Sequence, residues 1–203
     1  MPKTQPKLLG SKHGYNLAAP FYDIKEKYLN SFEQDKIWPL LGNLTNKKIL
    51  DVGAGTGRLS LKLKQHDAEV VALDISPQML SEFNRKNKNI QTVVGEAESL
   101  PFPAETFDLV VAAFLIVHLK NPTIFFNEAH RVLKNEGKLL VTNINQRKPP
   151  EVKSRQGPIV IESYYHRPER VKDALHDLAF TVEKEIFVKQ GGVWINQILL
   201  ATK

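Results

Sequence analysis

Two acids and three glycines close to predicted strand ends are the residues of this chain best placed to bind a ligand. An apolar run leads into Asp51, and Gly53, Gly55 and Gly57 follow before a helical pattern begins. Glycines let a backbone turn sharply and leave room for a ligand, and the turn presents free N–H groups at a helix start. A second apolar run ends at Asp74, where a carboxylate is placed to accept hydrogen bonds from a ribose diol. The spacing predicts a site for a nucleoside-bearing cofactor above the carboxyl ends of parallel strands.

The glycine spacing also separates two classes of nucleotide ligand. A dinucleotide fingerprint reads G-x-G-x-x-G, whereas here the third glycine comes one residue early and Arg58 follows it. Asp51 precedes the loop, where it would repel an anionic pyrophosphate and would suit a ligand with a cationic end. The amino group of a methionine moiety is such an end. A nicotinamide dehydrogenase is therefore disfavoured, and a glycine turn that binds no ligand is the structural alternative.

The run DVGAGTG, residues 51–57, resembles motif I of the class I S-adenosylmethionine-dependent methyltransferases, and Asp74 matches their second-strand acid. The resemblance covers roughly residues 45–203. It implies S-adenosyl-L-methionine as cofactor and S-adenosyl-L-homocysteine as its product. The implied fold is α/β, a Rossmann-like seven-stranded methyltransferase sheet in the order 3-2-1-4-5-7-6, with the last strand antiparallel and helices on both faces.

Two later segments match further parts of that family's cofactor site. After the predicted third strand come Glu96 and Ala97, where family members usually have an acid that accepts from the adenine amine and an alanine that bonds a ring nitrogen. The segment that ends at His118 is similar to one in the type 11 small-molecule methyltransferases, whose final histidine His118 matches. Taken together, the resemblance predicts these cofactor-binding residues: Tyr22, Asp51, Gly53, Ala54, Gly55, Gly57, Asp74, Ile75, Met79, Glu96, Ala97, Ala113 and Phe114.

Several of these side chains also have a purely structural interpretation. Tyr22 belongs to a segment that closes over the cofactor in the family, but packing of an N-terminal helix on the sheet accounts for it nearly as well. Glu96 is alternatively a solvated turn residue. His118 is the predicted catalytic residue, as a general base, or else a packed residue at a helix end. His13 and His166 are further candidate bases because an imidazole titrates near neutrality, and otherwise they are surface residues.

Strands and helices alternate along the elements that must position these residues. Apolar runs predict parallel strands at residues 48–51, 69–74, 90–95, 107–113 and 138–143. Helices are predicted at 58–65, 76–85, from Asn121 to a stop at 135–137, and at 170–178, before an antiparallel hairpin of 180–188 and 193–201. The N-terminal residues 1–20 are expected to be loose, and the polar residues 144–167 to form a long loop.

These elements predict two parts of the chain. Residues 1–44 form an N-terminal lid or helical segment, and residues 45–203 form the S-adenosylmethionine-binding domain with a lid insertion at 144–167. The composition is that of an ordinary globular protein, with 42% hydrophobic and 25% charged residues. The absence of cysteine fits a cytoplasmic location, and neither a secretory signal, a membrane span nor a metal site is predicted.

Three functions remain open at this point. The leading hypothesis is a methyltransferase that acts on a small molecule by in-line displacement. A methyltransferase acting on RNA or protein is favoured by the net charge of +6 and the basic residues between 147 and 155, but no aromatic nucleic-acid module accompanies them. The third is a non-catalytic S-adenosylmethionine-binding protein. The identity of the acceptor, the atom methylated and the oligomeric state do not follow from the sequence.

Overall fold

The computed structural model describes residues 6–203, apart from the side chain of Lys25. The strands are, in chain order, β1 (Lys7–Leu9), β2 (Lys48–Val52), β3 (Glu69–Asp74), β4 (Gln91–Val94), β5 (Phe107–Ala112), β6 (Leu133–Ile144), β7 (Glu151–Ser154), β8 (Gly157–Ile161), β9 (Thr181–Gln190) and β10 (Val193–Thr202). The α-helices are α1 (Ser11–Ala18), α2 (Glu26–Glu33), α3 (Trp38–Leu41), α4 (Arg58–Gln65), α5 (Pro77–Lys86), α6 (Pro122–Val132) and α7 (Pro168–Asp177). Short 3₁₀ helices cover Ala19–Lys25 and Ile116–His118.

The larger of two sheets has seven strands in the order β4-β3-β2-β5-β6-β10-β9. The strands from β2 to β6 pair in parallel, and β10 is antiparallel to both of its neighbours. This order confirms the predicted methyltransferase topology. The chain runs outward in both directions from β2 and β5, so the crevice beyond their carboxyl ends is the place where such sheets bind ligands.

Helices cover both faces of this sheet, as predicted. On one face Phe125 and Phe126 of α6 and Leu175 of α7 are completely buried against the strands. On the other face Leu63 of α4 and Phe83 of α5 form a second buried cluster. Strands covered on both faces lack a polar side, which explains why their sequences read as nearly continuous apolar runs.

The smaller sheet corrects two expectations about the chain. Residues 144–167 do not form one long loop, because β7 and β8 lie within them as an antiparallel hairpin. Residues 6–20 are not loose, because β1 pairs in parallel with β8 and α1 follows it. The reason is that apolar residues of these short segments are buried. Leu9, Ile159 and Ile161 pack together with Ala18 in a cluster of their own. Prolines and polar residues around them hid this pattern in the sequence.

One predicted helix end is also wrong. Helix α6 ends at Val132 rather than at residues 135–137, and β6 begins at once with Leu133. The polar residues 135–137 lie within β6 and form an irregularity there. At this point the pairing of β6 with β5 shifts register between Phe107 and Leu109. Within residues 6–203, none of the helices is long and apolar enough to cross a bilayer.

Candidate active site

One cavity of about 1000 Å³, part of it open to solvent, lies beyond the carboxyl ends of β2, β3 and β5. The structure brings most of the predicted site residues to its wall. Those residues are Tyr22, Asp51, Gly53, Ala54, Gly55, Asp74, Ile75, Met79, Ala97, Ala113, Phe114 and His118. Gly57 and Glu96 were predicted with them, but neither contributes to the wall of this cavity.

The glycine loop needs its glycines for two different reasons. Gly55 has a φ of +57° and borders the cavity, so a side chain there would be strained and would enter the space of a ligand. Gly57 has a φ of +92°, and a Cβ at that position would lie 2.6 Å from the Phe83 ring of α5. Gly57 therefore allows close packing of α4 on α5, and its contribution to ligand binding stays a prediction.

Asp74 connects the glycine loop to the start of α5. Its Oδ2 accepts a hydrogen bond from the Gly55 N–H, and its Oδ1 accepts one from the Ser76 N–H, each at 2.8 Å. Ser76 in turn caps α5, because its hydroxyl accepts from the Met79 N–H. Burial raises the pKa of Asp74, although both backbone hydrogen bonds oppose the shift. A carboxylate with two oxygens retains lone pairs for a diol beside these bonds.

Asp51 is a buried carboxylate that forms no ion pair with any described side chain of residues 6–203. It is 2% exposed, and the Ser60 hydroxyl donates to its Oδ2 at 2.5 Å. Burial raises its pKa from 3.8 to about 6, although the Ser60 hydrogen bond and the charge of Arg58 both lower it. Because an unpaired buried carboxylate is costly, a cationic group of a ligand would relieve this position. The pKa of Asp51 thus fits the predicted contact with an amino group.

The side chain of His118 is bonded at both ring nitrogens. The Tyr15 hydroxyl lies 2.6 Å from Nε2, and the carbonyl oxygen of Glu162 lies 2.9 Å from Nδ1. His118 ends the 3₁₀ helix Ile116–His118, which agrees with the structural alternative, and it also lines the cavity. Its role as a general base stays a prediction. Burial lowers its pKa, which favours a neutral imidazole.

Arg58 does not point into solvent. Its guanidinium pairs with both carboxylate oxygens of Glu33 at 2.6 Å, and its Nη1 also donates to Asn30 at 2.9 Å. It stacks over the Phe114 ring with 5.6 Å to the ring centre. Phe114 has a φ of +58°, an uncommon backbone conformation for a bulky residue and one that recurs at ligand sites. Arg58 therefore fastens α2 to the glycine loop and to the cavity wall.

Further hydrogen bonds hold the N-terminal segment over the loop. The Thr56 hydroxyl donates to Asp23 at 2.5 Å, and Lys86 of α5 bonds the other oxygen of Asp23 at 2.7 Å. The Ser76 hydroxyl lies 2.6 Å from the Asn16 side-chain oxygen. Sequence reasoning did not find these partners, because each contact joins residues far apart in the chain and no local pattern signals it.

The remaining candidate residues lie elsewhere. Glu96 is exposed, and its carbonyl accepts from the Ser99 N–H in a tight turn. His13 is exposed on α1. His166 points its Nε2 at the carbonyl oxygens of Ile116 and Leu119, each 3.0 Å away, so that nitrogen is a donor that stabilises the 3₁₀ helix below His118. The structure therefore gives His166 a structural contact.

Comparison with known proteins agrees with this geometry. A family profile described as a methyltransferase domain matches residues 50–141. A demethylmenaquinone methyltransferase of Thermus thermophilus is 34% identical over 160 residues, which make up 73% of this chain and 70% of that protein. The chain belongs to the class I S-adenosylmethionine-dependent methyltransferase family, type 11. The predicted family is thus confirmed.

Two further comparisons place this methyltransferase-family chain among its relatives. A demethylmenaquinone methyltransferase of Tropheryma whipplei is 35% identical over 134 residues, or 63% of this chain and 56% of that protein. The chain therefore spans little more than half the length of that relative. An S-adenosylmethionine-dependent methyltransferase of Mesorhizobium loti superposes with a TM-score of 0.72 at 15% identity, over 84% of this chain and 97% of the other. At that identity the likeness concerns the fold.

Proposed function

We propose that this chain transfers a methyl group from S-adenosyl-L-methionine to a small-molecule acceptor. The observation that carries the proposal is the placement of Asp51 and Asp74 in one cavity, on either side of the glycine loop. Asp51 would hold the amino group of the cofactor, and Asp74 its ribose diol. Ile75, Met79 and Ala97, which line the same cavity, would surround the adenine.

The chain's own groups would have two tasks in this reaction. When bound, the cofactor supplies a methyl group that a sulfonium already activates for in-line displacement. The residues of the cavity wall, among them Tyr15, Tyr22 and Leu29, would exclude water. They would also hold the acceptor atom in line with the carbon–sulfur bond that breaks. Alignment of two reactants in this way contributes on the order of 7–11 kcal/mol at best.

The acceptor in this proposal has an apolar or aromatic body. Leu29, Phe114, Leu115 and Leu119 line the same cavity as the two acids. The relatives from Thermus thermophilus and Tropheryma whipplei are named for demethylmenaquinone, whose ring is aromatic in the reduced form. A reduced demethylated naphthoquinone is therefore the first acceptor to test.

Calorimetric titration with S-adenosyl-L-homocysteine tests the cofactor site. We expect Asp74→Ala and Gly55→Val each to weaken binding by about 10²-fold or more, since one loses the diol acceptor and the other fills a positive-φ position at the cavity. Asp177→Ala, at an exposed position on α7, and Gly192→Val, at another positive-φ glycine, are the matched controls. Unchanged affinity in both site variants would remove the proposed site.

Transfer of a radioactive methyl group tests the reaction. We expect label from S-adenosyl-L-methionine to enter reduced demethylmenaquinone or another apolar phenolic compound. Label found only in RNA or protein fractions would support the macromolecular alternative instead. Tight binding of S-adenosyl-L-homocysteine with no labelled product from cell extract would indicate a non-catalytic binding protein.

A further inference from the structure

The Tyr15–His118–Glu162 chain of hydrogen bonds has a defined direction. The carbonyl oxygen of Glu162 can only accept, so Nδ1 of His118 carries the proton of that 2.9 Å bond. Nε2 of a neutral imidazole is then an acceptor, and the Tyr15 hydroxyl donates to it across 2.6 Å. The Tyr15 oxygen keeps lone pairs that can accept a further hydrogen bond, and both Tyr15 and His118 line the cavity.

The small sheet holds both ends of this chain of bonds in place. Glu162 directly follows β8, and its N–H donates to the carbonyl of Leu9 in β1. Helix α1 lies so close to β8 that a Cβ on Gly14, the residue before Tyr15, would lie 2.8 Å from Ile161. The Tyr15 and His118 rings meet edge to face, with centres 5.1 Å apart. Neither ring can turn away without disturbing this packing.

We propose that Tyr15 and His118 form a proton relay for methyl acceptors that must lose a proton, with Tyr15 as the catalytic residue and His118 as the base behind it. The proposal rests on the methyltransferase function proposed above. The acceptor atom forms its bond to the methyl carbon as the bond from that carbon to sulfur breaks. The acceptor's proton passes to the Tyr15 oxygen, and the Tyr15 hydroxyl proton passes to Nε2 of His118. The products are methylated acceptor, neutral thioether and an imidazolium still bonded to Glu162.

The surroundings keep both groups in the forms that the relay needs. Burial lowers the pKa of His118, which favours the neutral imidazole, and burial together with Tyr22 and Asp74 raises the pKa of Tyr15. Tyr15 from α1 is a titratable group bonded directly to His118, and Tyr22 lies behind Tyr15 at 5.8 Å between ring centres. Glu162, in the segment after β8, contacts His118 through its backbone carbonyl. The charge of Asp74 affects the pair by raising the pKa of Tyr15.

Nitrogen-15 NMR of the imidazole tests the geometry without any acceptor. We expect His118 to be neutral at pH 7 with the proton on Nδ1, and we expect the Nε2 shift to move in Tyr15→Phe, which removes the donor. Tyr28→Phe is the matched control, because Tyr28 is 60% exposed on α2. A proton on Nε2 of His118, or an Nε2 shift that ignores Tyr15→Phe, would overturn the relay.

Kinetics with reduced demethylmenaquinone, or with whichever acceptor takes the label, test the chemistry. Tyr15→Phe and His118→Gln should each lower kcat by about 10²-fold or more with little change in KM, and the double variant should lose no more than either. The acid limb of the pH profile of kcat, measured with saturating cofactor so that protonation of Asp51 does not contribute, should disappear in His118→Gln, whose amide accepts the Tyr15 hydrogen bond but takes up no proton. Rates within about tenfold of the original chain, or an unchanged acid limb, would contradict the relay.

Calorimetry with S-adenosyl-L-homocysteine distinguishes failure of the relay from failure of the proposed function. Both relay variants should bind S-adenosyl-L-homocysteine with nearly the original affinity. If the original chain itself does not bind this compound, the proposed function fails, whereas the NMR experiment still decides whether Tyr15 and His118 form the described pair.

Discussion

Arg58 and Glu33 form a buried, two-pronged ion pair between the glycine loop and α2. Their side chains are only 12% and 6% exposed, and both nitrogen–oxygen distances are 2.6 Å. Each charge depends on the other, since a buried ion left without its partner is strongly destabilising. The pair therefore secures helix α2, which belongs to the predicted N-terminal lid or helical segment of residues 1–44.

Glu33→Gln should lower the free energy of unfolding by about 3–5 kcal/mol, because it leaves the Arg58 charge buried without a counter-ion. Glu183→Gln is the control: the Lys138–Glu183 pair lies at the surface and should contribute at most about 1 kcal/mol. Urea denaturation of both variants measures the difference. Equal losses would show that Arg58 and Glu33 are not a buried pair in solution.

Gly57→Ala should destabilise the chain by about 1–3 kcal/mol more than Gly192→Ala does. Both glycines have positive φ, so both variants carry backbone strain, but only at Gly57 would the new Cβ meet the Phe83 ring. At Gly192 a Cβ meets no described atom within 4 Å. Thermal or chemical unfolding measures the two costs. If they are the same, the close packing of the loop on α5 is not what requires a glycine.

The affinity for S-adenosyl-L-homocysteine should fall as the pH drops below about 6, the pKa of Asp51. The folded, ligand-free chain binds a proton there that the charged carboxylate must release before it pairs with an ammonium group. The loss approaches about tenfold for each pH unit. The compound 5′-methylthioadenosine has no amino group and should show no such dependence, nor should Asp51→Asn. Calorimetry between pH 5 and 7 tests this, and parallel slopes for both ligands would contradict the contact.

Without ligand, a lower pH has the opposite consequence at Asp51: its protonation stabilises the folded chain. A pKa raised from 3.8 to about 6 means that the folded chain holds more protons than the unfolded chain between these values. The contribution of Asp51 to stability is therefore complete below pH 3.8 and is lost as the pH rises through 6. Binding of a cationic group would reverse this loss.

The parts of the fold that follow from local patterns could be predicted from the sequence. Helix α4 and strand β3 have the predicted bounds, because a glycine turn or a polar link marks their ends. The cavity is predicted for the same reason, since Asp51 is the penultimate residue of β2 and Asp74 is the last residue of β3, in one parallel sheet. The end of α6 was missed because Leu133 continues the apolar pattern of the helix while its backbone already pairs with β5.

The contacts that hold the N-terminal segment at the cavity could not be predicted, because they join residues far apart in the chain. Nothing near Tyr15 signals His118 as its partner, and nothing near Arg58 signals Glu33. No local pattern indicates that β1 would pair with β8, because both strands are short, β1 lies between Pro6 and Gly10, and β8 begins with Gly157 and Pro158. Such pairings depend on tertiary packing rather than on propensity.

Because β1 and β8 share backbone hydrogen bonds, residues 6–25, which contribute to the cavity wall, and residues 144–167 form one structural unit. An engineer who wishes to alter the acceptor by exchanging sequence with a relative would have to transplant residues 6–25 and 144–167 as a matched set. A chimaera with only one of them would join a foreign edge strand to a native one, and Tyr15 and the carbonyl of Glu162 would no longer meet on His118.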